Sequence, residues 1–516
     1  MTRGFSEASS LADGTTLRPE VCVVGSGAGG AVVAFALASA GLDVLVLEEG
    51  GHFTKADFHM REDEAFPDLY QEAGARATKD LGVTILQGRA VGGTTVVNYT
   101  TCFRTPDRVL EHWRKVHAVH GLTPEVLRPH FEAIEERLNV REWPLDDSNL
   151  NNRLLYDGCQ AIGLTAYSTR RNVKNCFKSG YCGMGCPVDA KQSMLVTYLP
   201  DAVAQGATVL ARCRVDRLET AGARVARAHC TVMGEDGYSP AGSRLLVEAK
   251  WFVLAAGGIG TPAILIRSGL GGGMVGRRTY LHPVAGVFAR WKQRIEPFYG
   301  PPQSVACHAL AERGQRVGLF FEAAPLHPVI MAIATAGFGA DHRRVMADLA
   351  YYTGHIGLAI DGFHPEEPGG TVTVRPSGAP LCDYPLRARI WEALREGLRV
   401  LIRADLAVGA ERVITGHDPP LSFTSERDLA QLDRAPMDVG RIGVFSAHVM
   451  GGCKMGDDPK AAVVRSEDLR HHQIENLHVI DGSVFPTSLG VNPQESIYGL
   501  AHLMGQRLAQ AWRRAG

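Results

Sequence analysis

A glycine-rich stretch near the N-terminus has the residue types and the spacing that bind a pyrophosphate. Gly25, Gly27 and Gly30 form a G-x-G-x-x-G pattern directly after an apolar run at 21–24. The first glycine permits a tight turn, the second lets the backbone approach the phosphates, and the third lets a helix pack closely on the strand. A helix that starts here directs its free N–H groups and its dipole at the phosphates. The pattern predicts a dinucleotide site.

An acidic residue lies at the distance that such a site requires. Glu48 follows a second apolar strand over 43–47 and stands 23 residues after Gly25. Its carboxylate can accept both hydroxyls of an adenosine ribose and would repel a 2′-phosphate, which disfavours NADP. The run 21–51 is long and nearly uncharged, as a membrane span would be, but its glycines and Asp43 argue against that. We therefore expect no transmembrane segment.

Three cysteines in another glycine-rich stretch could bind a metal. Cys176, Cys182 and Cys186 follow C-x5-C-x3-C within NCFKSGYCGMGCPVDAKQS. Clustered thiols can hold an iron–sulfur cluster or, with a fourth ligand, zinc. The spacing matches no common zinc pattern and no fourth ligand is evident nearby. We favour a loop with inert cysteines and predict no metal site, with iron–sulfur ligation as the alternative.

The composition indicates an ordinary globular enzyme. The chain has 516 residues, of which 45% are hydrophobic and 21% charged, enough for two domains or one elaborated domain. The formal net charge is −1 without a basic stripe, which argues against nucleic acid as a partner. Eleven cysteines over this length favour free thiols. The segment 1–16 lacks the apolar core of a signal peptide, so we expect a short disordered leader and a cytoplasmic protein.

The elements that position these residues are predicted to form a parallel sheet. Short apolar runs of the buried-strand type occur at 21–24, 43–47, 251–256 and 478–480. The run 251–256 leads into a glycine turn, after which Thr261 is expected to cap a helix with Pro262 at its first position. This second strand–glycine–helix unit favours an α/β fold with right-handed crossovers.

Three other segments complete the prediction of elements. Residues 207–213 and 214–218 are expected to form a strand that continues into a turn. Thr123 can cap a helix over 123–138, and the last helix is expected to begin at Ser496. Between 283 and 440, prolines, aromatic residues and strand-like runs indicate an inserted α+β region that binds substrate.

Several stretches together resemble the glucose–methanol–choline (GMC) oxidoreductase family. They lie at both ends and in the middle of the chain, at 23–30, 48–51, 88–98, 254–263, 448–456 and 479–501. The tail, AHVMGGCKMG and VIDGSVFPTSLGVNPQESIYGLA, is most similar to the branch that contains bacterial cholesterol oxidases and long-chain alcohol oxidases. The CGMGC…AKQS stretch is also similar to the long-chain alcohol oxidases.

The resemblance implies FAD bound in an extended conformation. By motif, the residues that would contact it are Gly25, Gly27 and Gly30 at the pyrophosphate, Glu48 at the ribose, Gly93 and Asn98 along the flavin, Val215 at the adenine, and Asp481 and Gly482 at the pyrophosphate again. Family members that attach FAD covalently in this loop place a histidine just before the asparagine. Val97 stands there in this chain, so we expect non-covalent FAD.

The resemblance also implies the architecture, an α/β fold. A Rossmann-like FAD-binding domain with a parallel sheet would carry an inserted α+β substrate-binding domain. We assign 18–130, 196–282 and 441–516 to the FAD-binding domain, 131–195 to a connecting cap segment, and 283–440 to the substrate-binding domain.

Oxidation of an alcohol by hydride transfer to flavin N5 requires a group that removes the hydroxyl proton. At the family position before MGGC stands His448, the predicted base. Asn492, in VNPQ, would be its partner and orient the substrate oxygen. Glu322, in FFEAAPLHP, is a further candidate, because a carboxylate from the substrate domain can face the flavin in this branch. A solvated or salt-bridged glutamate is the alternative for Glu322.

The predicted function is the FAD-dependent oxidation of a hydrophobic alcohol, such as a sterol or a long-chain alcohol, to the carbonyl. Oxygen or another acceptor would take the electrons. An apolar, aromatic central region suits a bulky alcohol, although an ordinary core explains it equally well. The alternatives are a lyase or light-driven fatty-acid decarboxylase on the same fold, and an iron–sulfur-containing dehydrogenase subunit.

Overall fold

The computed structural model describes residues 4–515, and its central element is a six-stranded parallel sheet. Across the sheet the strands are Gly4–Glu7, Thr208–Ala211, Val44–Leu47, Val21–Val24, Trp251–Leu254 and Leu477–Val479. Each neighbouring pair is parallel. Nearly every residue of the five strands after Gly4–Glu7 is buried, as expected for a sheet with helices on its faces. The predicted α/β fold with a parallel sheet is confirmed.

The prediction of a disordered leader is wrong for residues 4–7. The strand Gly4–Glu7 pairs with Thr208–Ala211 at the edge of the central sheet. The ring of Phe5 stacks on His52, with ring centroids 4.4 Å apart. The short strand therefore gains both a hydrogen-bond ladder and an aromatic contact, neither of which a scan for signal peptides can detect. The sheet accordingly begins before residue 18, where the predicted domain begins.

The prediction for 207–218 also needs correction. The first strand ends at Ala211, and Arg212 adopts a left-handed conformation with φ of 54°. This reversal starts a new strand, Cys213–Ala221, where a turn is predicted. That strand lies in a separate sheet, whose order is Cys213–Ala221, Arg224–Met233, Pro240–Val247 and Thr16–Leu17.

The region after 283 is built on a largely antiparallel sheet of nine strands. Along its main path the strands are Ser422–Phe423, Arg412–Thr415, Val284–Arg290, Tyr352–Ile360, Gly318–Ala323, Val305–Cys307 and Tyr167–Ser168, with Phe445–Ser446 and Thr84–Ile85 alongside. Two small sheets consist of Pro380–Asp383, Gly370–Val374, Arg277–Tyr280 and Met450–Gly451, and of Thr101–Cys102, Arg170–Asn172 and Val140–Glu142. The boundaries of the predicted domains stay a prediction.

Helices cover the sheets. Within residues 4–515 the α-helices are Ala28–Ser39, Glu62–Leu69, Asp107–His117, Pro124–Arg137, Leu150–Ala161, Tyr198–Ala204, Gly257–Arg267, Pro328–Ala334, Gly339–Ala347, Ala388–Ala407, Ala430–Arg434 and Gln494–Ala515. Thr123 caps the predicted helix after it, accepting a hydrogen bond from the Val126 amide at 3.3 Å. The last helix begins at Gln494, two residues before the predicted start. None of these helices is long and apolar enough to cross a membrane.

Thr261 and Pro262 lie inside the helix Gly257–Arg267, so the prediction that they begin it is wrong. The cap comes from a distant residue, Asp481, whose Oδ2 accepts hydrogen bonds from the Gly257 amide at 2.8 Å and the Thr261 hydroxyl at 2.6 Å. Since a carboxylate at a helix N-terminus satisfies free N–H groups, the helix can begin earlier than its local sequence suggests.

Candidate active site and cofactor cradle

The glycine loop is shaped by close backbone contacts. Gly25 has φ of +100°, and a Cβ built on it would lie 2.3 Å from the Ala255 carbonyl oxygen. A Cβ on Gly30 would lie 1.9 Å from the carbonyl oxygen of Gly25. Gly27, by contrast, has free space beside it, since its Cβ would meet its nearest neighbour at 3.7 Å. Among residues 4–515, the N-cap residue Gly27 provides no side-chain cap for the helix that follows, which leaves its N-terminus available to an anion.

Glu48 is held by the glycine loop itself. Its Oε2 accepts hydrogen bonds from the Ser26 amide at 3.1 Å and the Ser26 hydroxyl at 2.6 Å, and its Oε1 accepts one from the Gly50 amide at 3.0 Å. Burial raises the pKa of this carboxyl, and these hydrogen bonds oppose the rise. The carboxylate therefore has a fixed position at the end of its strand.

A second loop packs against the first. Gly93 has φ of +56°, and a Cβ on it would lie 2.7 Å from the Gly27 Cα. In this loop the Gly92 amide donates to Ser26 Oγ at 2.9 Å. Asn98 donates from Nδ2 to Gln494 Oε1 at 2.6 Å, while its buried Oδ1 has no hydrogen-bond partner among the described residues. The predicted residues Gly27, Gly93 and Asn98 thus lie around one region.

The far end of the chain reaches the same region. A Cβ on Gly29 would lie 1.9 Å from the Ile480 carbonyl oxygen and 3.2 Å from the Asp481 Cα. Asp481 and the buried Gly482 therefore lie beside the glycine loop, although the carboxylate of Asp481 is engaged in the helix cap. Val215 lies on the separate sheet, where its carbonyl accepts from Arg267 Nη2 at 3.4 Å.

The three predicted catalytic residues form one chain of contacts. Asn492 Nδ2 lies 3.3 Å from His448 Nε2 and 3.4 Å from Glu322 Oε2. Glu322 is fully buried and accepts from Gln303 Nε2 at 2.9 Å, and its Oε1 has no hydrogen-bond partner in the part of the chain that the structure describes. These side chains come from separate parts of the sequence, and the fold brings them together.

A further histidine, which the sequence analysis missed, extends this chain. His282 is fully buried, and its Nδ1 lies 3.1 Å from the Nδ1 of His448. Its Nε2 accepts a hydrogen bond from the Gly490 amide at 3.0 Å. No local spacing could have identified it, because its partners lie 166 and 208 residues away along the chain.

The Gly490 amide fixes which nitrogen of each of the two histidines carries a proton. A backbone N–H can only donate, so His282 Nε2 is the acceptor and a neutral His282 carries its proton on Nδ1. That proton is donated to His448 Nδ1, and a neutral His448 therefore carries its own proton on Nε2. Asn492 Nδ2 donates to Glu322 Oε2, so its 3.3 Å contact with the protonated His448 Nε2 is not a hydrogen bond, and that proton stays available.

Burial sets the charge of these groups. It lowers the pKa of His448 to about 4 and that of His282 well below its ordinary value, so both are neutral at pH 7. Burial raises the pKa of Glu322 to about 8, opposed by the hydrogen bond with Asn492. Glu322 is therefore the group in this site that titrates close to neutral pH.

Unpartnered polar atoms test whether this region fits a flavin and its substrate. Within residues 4–515, buried side-chain atoms without a hydrogen-bond partner include Asn98 Oδ1, Glu322 Oε1, Ser483 Oγ and Asn492 Oδ1. A buried polar atom without a partner is costly, and such atoms are rare in proteins. Their positions in or beside the two loops and the catalytic chain fit a polar cofactor and a substrate hydroxyl.

Comparison with known proteins gives the family. Two family models described as GMC oxidoreductase match residues 66–284 and 365–501. A third model, described as a NAD(P)-binding Rossmann-like domain, matches residues 23–88. An uncharacterized GMC-type oxidoreductase of Mycobacterium tuberculosis is 34% identical over 94% of this chain and 75% of that protein. This chain belongs to the GMC oxidoreductase family. It is accordingly an FAD-dependent oxidoreductase that acts on alcohol-type donors.

Other GMC relatives agree with this assignment. A long-chain-alcohol oxidase of Arabidopsis thaliana is 28% identical over 98% of this chain and 70% of that protein. The crystal structure of pyridoxine 4-oxidase from Mesorbium loti has a TM-score of 0.72 at 19% identity and covers 95% of this chain and 99% of that one. The predicted resemblance to the GMC family is therefore confirmed, as is the Rossmann-like fold.

Two glycine variants separate packing from cofactor binding. We expect Gly30→Ala to lose flavin and stability together, because its Cβ collides with the Gly25 carbonyl and overpacking costs about 1–3 kcal/mol. We expect Gly27→Ala, whose backbone (φ −74°) and surroundings accept a methyl group, to lose bound FAD while its apoprotein melts at the temperature of the wild-type apoprotein. Flavin absorbance per chain and thermal unfolding measure the two effects. Full flavin content in Gly27→Ala would contradict the predicted phosphate contact.

Proposed function

We propose that this GMC oxidoreductase oxidises a hydrophobic alcohol of the sterol or long-chain type, with FAD bound non-covalently. The observation that carries the proposal is the buried chain Glu322–Asn492–His448–His282, whose unpartnered atoms suit a hydroxyl group. The bound flavin supplies a hydride acceptor. Val97 precedes Asn98 where a histidine would be needed for covalent attachment in this loop.

His448 holds the substrate oxygen in this proposal. The direction of the hydrogen bonds puts a proton on His448 Nε2, so this nitrogen donates to the oxygen of the alcohol and stabilises the charge that develops there. From the family motif alone, His448 is the predicted base. A pKa of about 4 makes His448 a weak base. Its other nitrogen, Nδ1, already accepts the hydrogen bond from His282 Nδ1.

Glu322 is the proton acceptor in this proposal. With a pKa of about 8, its carboxylate is a stronger base than His448 and is matched to a pH near neutrality. Its Oε1 has no hydrogen-bond partner within residues 4–515, so it can accept the hydroxyl proton. Gln303 and Asn492 hold the carboxyl group in place.

An apolar surface beside Glu322 supports a hydrophobic substrate. Phe320 precedes Glu322 by two residues on the same strand, so both project from the same face of the sheet. Leu358 and Ile356 lie opposite these two residues on the neighbouring strand. Together with Val284 and Ile360, the apolar members form a small cluster separate from the two large cores. The long-chain-alcohol oxidases among the relatives favour the same substrate class, and their name favours oxygen as the acceptor.

The first test is anaerobic reduction of the holoenzyme. We expect the flavin bands to bleach with a sterol or a long-chain alcohol and to stay unchanged with a short polar alcohol. His448→Ala should keep the yellow colour while its bleaching slows. Bands that never bleach would overturn the proposal, and hydrocarbon formed from a fatty acid under light would favour the decarboxylase alternative.

The pH dependence distinguishes the two candidate bases. We expect the rate of bleaching to rise with pH to a midpoint near 8, because only the ionised Glu322 accepts a proton. Glu322→Gln keeps the size of the side chain and should lower the rate by about 10²–10⁴ and remove this dependence. A wild-type rate that is flat from pH 6 to 9, with little loss in Glu322→Gln, would return the role of base to His448.

Variants of His282 test its positioning role. His282→Asn keeps an N–H near the position of Nδ1, whereas His282→Ala removes it. We expect roughly a three- to tenfold lower kcat in the alanine variant, the value of one neutral hydrogen bond, and a smaller loss in the asparagine variant. Nitrogen NMR of His448 should show the Nε2-protonated form in the wild type and a mixture in His282→Ala. An unchanged tautomer would exclude this role.

A further inference from the structure

One buried aspartate contacts both partners of the hydrogen bond that determines the protonation of the two histidines. Asp361 directly follows the strand Tyr352–Ile360 and is 1% exposed. Its Oδ1 accepts a hydrogen bond from the His282 amide at 3.2 Å, and its Oδ2 accepts one from the Leu281 amide at 3.0 Å. The Tyr384 hydroxyl also donates to Oδ2, at 2.6 Å. The carboxylate therefore binds two consecutive backbone amides at the histidine.

The backbone conformation of His282 needs such support. Its φ is +46°, in the left-handed region that residues with a Cβ rarely adopt. Strained backbone of this kind persists only where the surrounding structure fixes it, and it is concentrated at functional sites. Because Asp361 binds both the strained residue and the residue before it, the carboxylate stabilises the turn from which the His282 ring projects.

The backbone of the same aspartate holds the other partner. The carbonyl oxygen of Asp361 accepts a hydrogen bond from the Ser488 hydroxyl at 2.6 Å. Gly490 lies two residues further along and packs against Ile360, since a Cβ on Gly490 would lie 3.1 Å from Ile360 Cδ1. The consecutive residues Ile360 and Asp361 thus connect the segment that carries His282 to the segment that carries Gly490.

The partners of the Asp361 side chain explain why this residue is an aspartate. The two amides and the phenol each supply a hydrogen, and an ionised carboxylate is a side chain that only accepts. A carboxamide would place its own N–H groups against one of these donors. Burial raises the pKa of Asp361, and the hydrogen bonds from Tyr384, Leu281 and His282 oppose the rise.

We propose that Asp361 is a positioning residue that keeps the Gly490 amide aligned with His282 Nε2. Through this alignment His282 donates from Nδ1, and His448 keeps its proton on Nε2. The inference rests on the proposed function, in which that proton holds the substrate oxygen. The protonation of the two histidines is nevertheless present without an alcohol, so it can be measured independently of the substrate.

Nitrogen NMR of the oxidised, flavin-loaded full chain is the first test. We expect the Nε2-protonated form of His448 in the wild type and a mixture in Asp361→Asn, because the carboxamide turns one acceptor into a donor. Asp405→Asn is the matched control. Asp405 is another fully buried aspartate, and its Oδ1 lies 2.8 Å from His355 Nδ1. This control should keep the wild-type tautomer of His448.

A double variant distinguishes positioning from a general loss of structure. We expect Asp361→Asn to lower kcat by about two- to tenfold, the value of one neutral hydrogen bond, with little change in KM. In a His282→Ala background the same substitution should have little further effect, because two residues that act through one interaction are not additive. An equal loss of kcat in both backgrounds would show a structural role and overturn the inference.

Ser488→Ala is the second variant if Asp361→Asn does not fold. It removes the hydrogen bond to the Asp361 carbonyl and should also give a mixture of His448 tautomers. An unchanged His448 tautomer in the variant that folds would overturn the inference. Failure of every alcohol to reduce the flavin would reject the proposed function alone, since the tautomer is measured without substrate.

Discussion

The contact between the glycine loop and the last strand of the central sheet is the constraint on which the rest of the site depends. Gly29 leaves no room for a Cβ, because the Ile480 carbonyl oxygen occupies that position at 1.9 Å. This contact fixes the segment after Leu477–Val479 against the loop. The same segment then supplies Asp481 to the helix Gly257–Arg267 and Asn492 to the catalytic chain. One stretch near the C-terminus thus connects the glycine loop to the predicted catalytic residues.

The same segment also determines which histidine nitrogens of the candidate active site carry protons. Gly490 lies between the contact with the glycine loop and Asn492, and its amide determines which nitrogen of His282 carries a proton. A side-chain donor could rotate or ionise, whereas a backbone N–H in a fixed loop can do neither. The direction of the hydrogen bonds between the two histidines is therefore a property of the fold, and the proposed role of His448 as the holder of the substrate oxygen rests on it.

The sequence predicts best what depends on local patterns. The loop Gly25 to Gly30, its strands and Glu48 are encoded within a short stretch, and the structure places them as expected. Predictions fail where a residue far away in the sequence determines the local secondary structure. Asp481 caps a helix that therefore begins before Thr261. The strand Gly4–Glu7 forms because it pairs with Thr208–Ala211 at the edge of the sheet.

The catalytic chain shows the same limit. His448 and Asn492 could be identified only through a family motif, because their partnership spans 44 residues of sequence. Glu322 reaches them from another sheet, and His282 carries no motif of its own. A histidine whose role is set by a backbone amide 208 residues away has no signature in the sequence. Its identification needs the three-dimensional contacts.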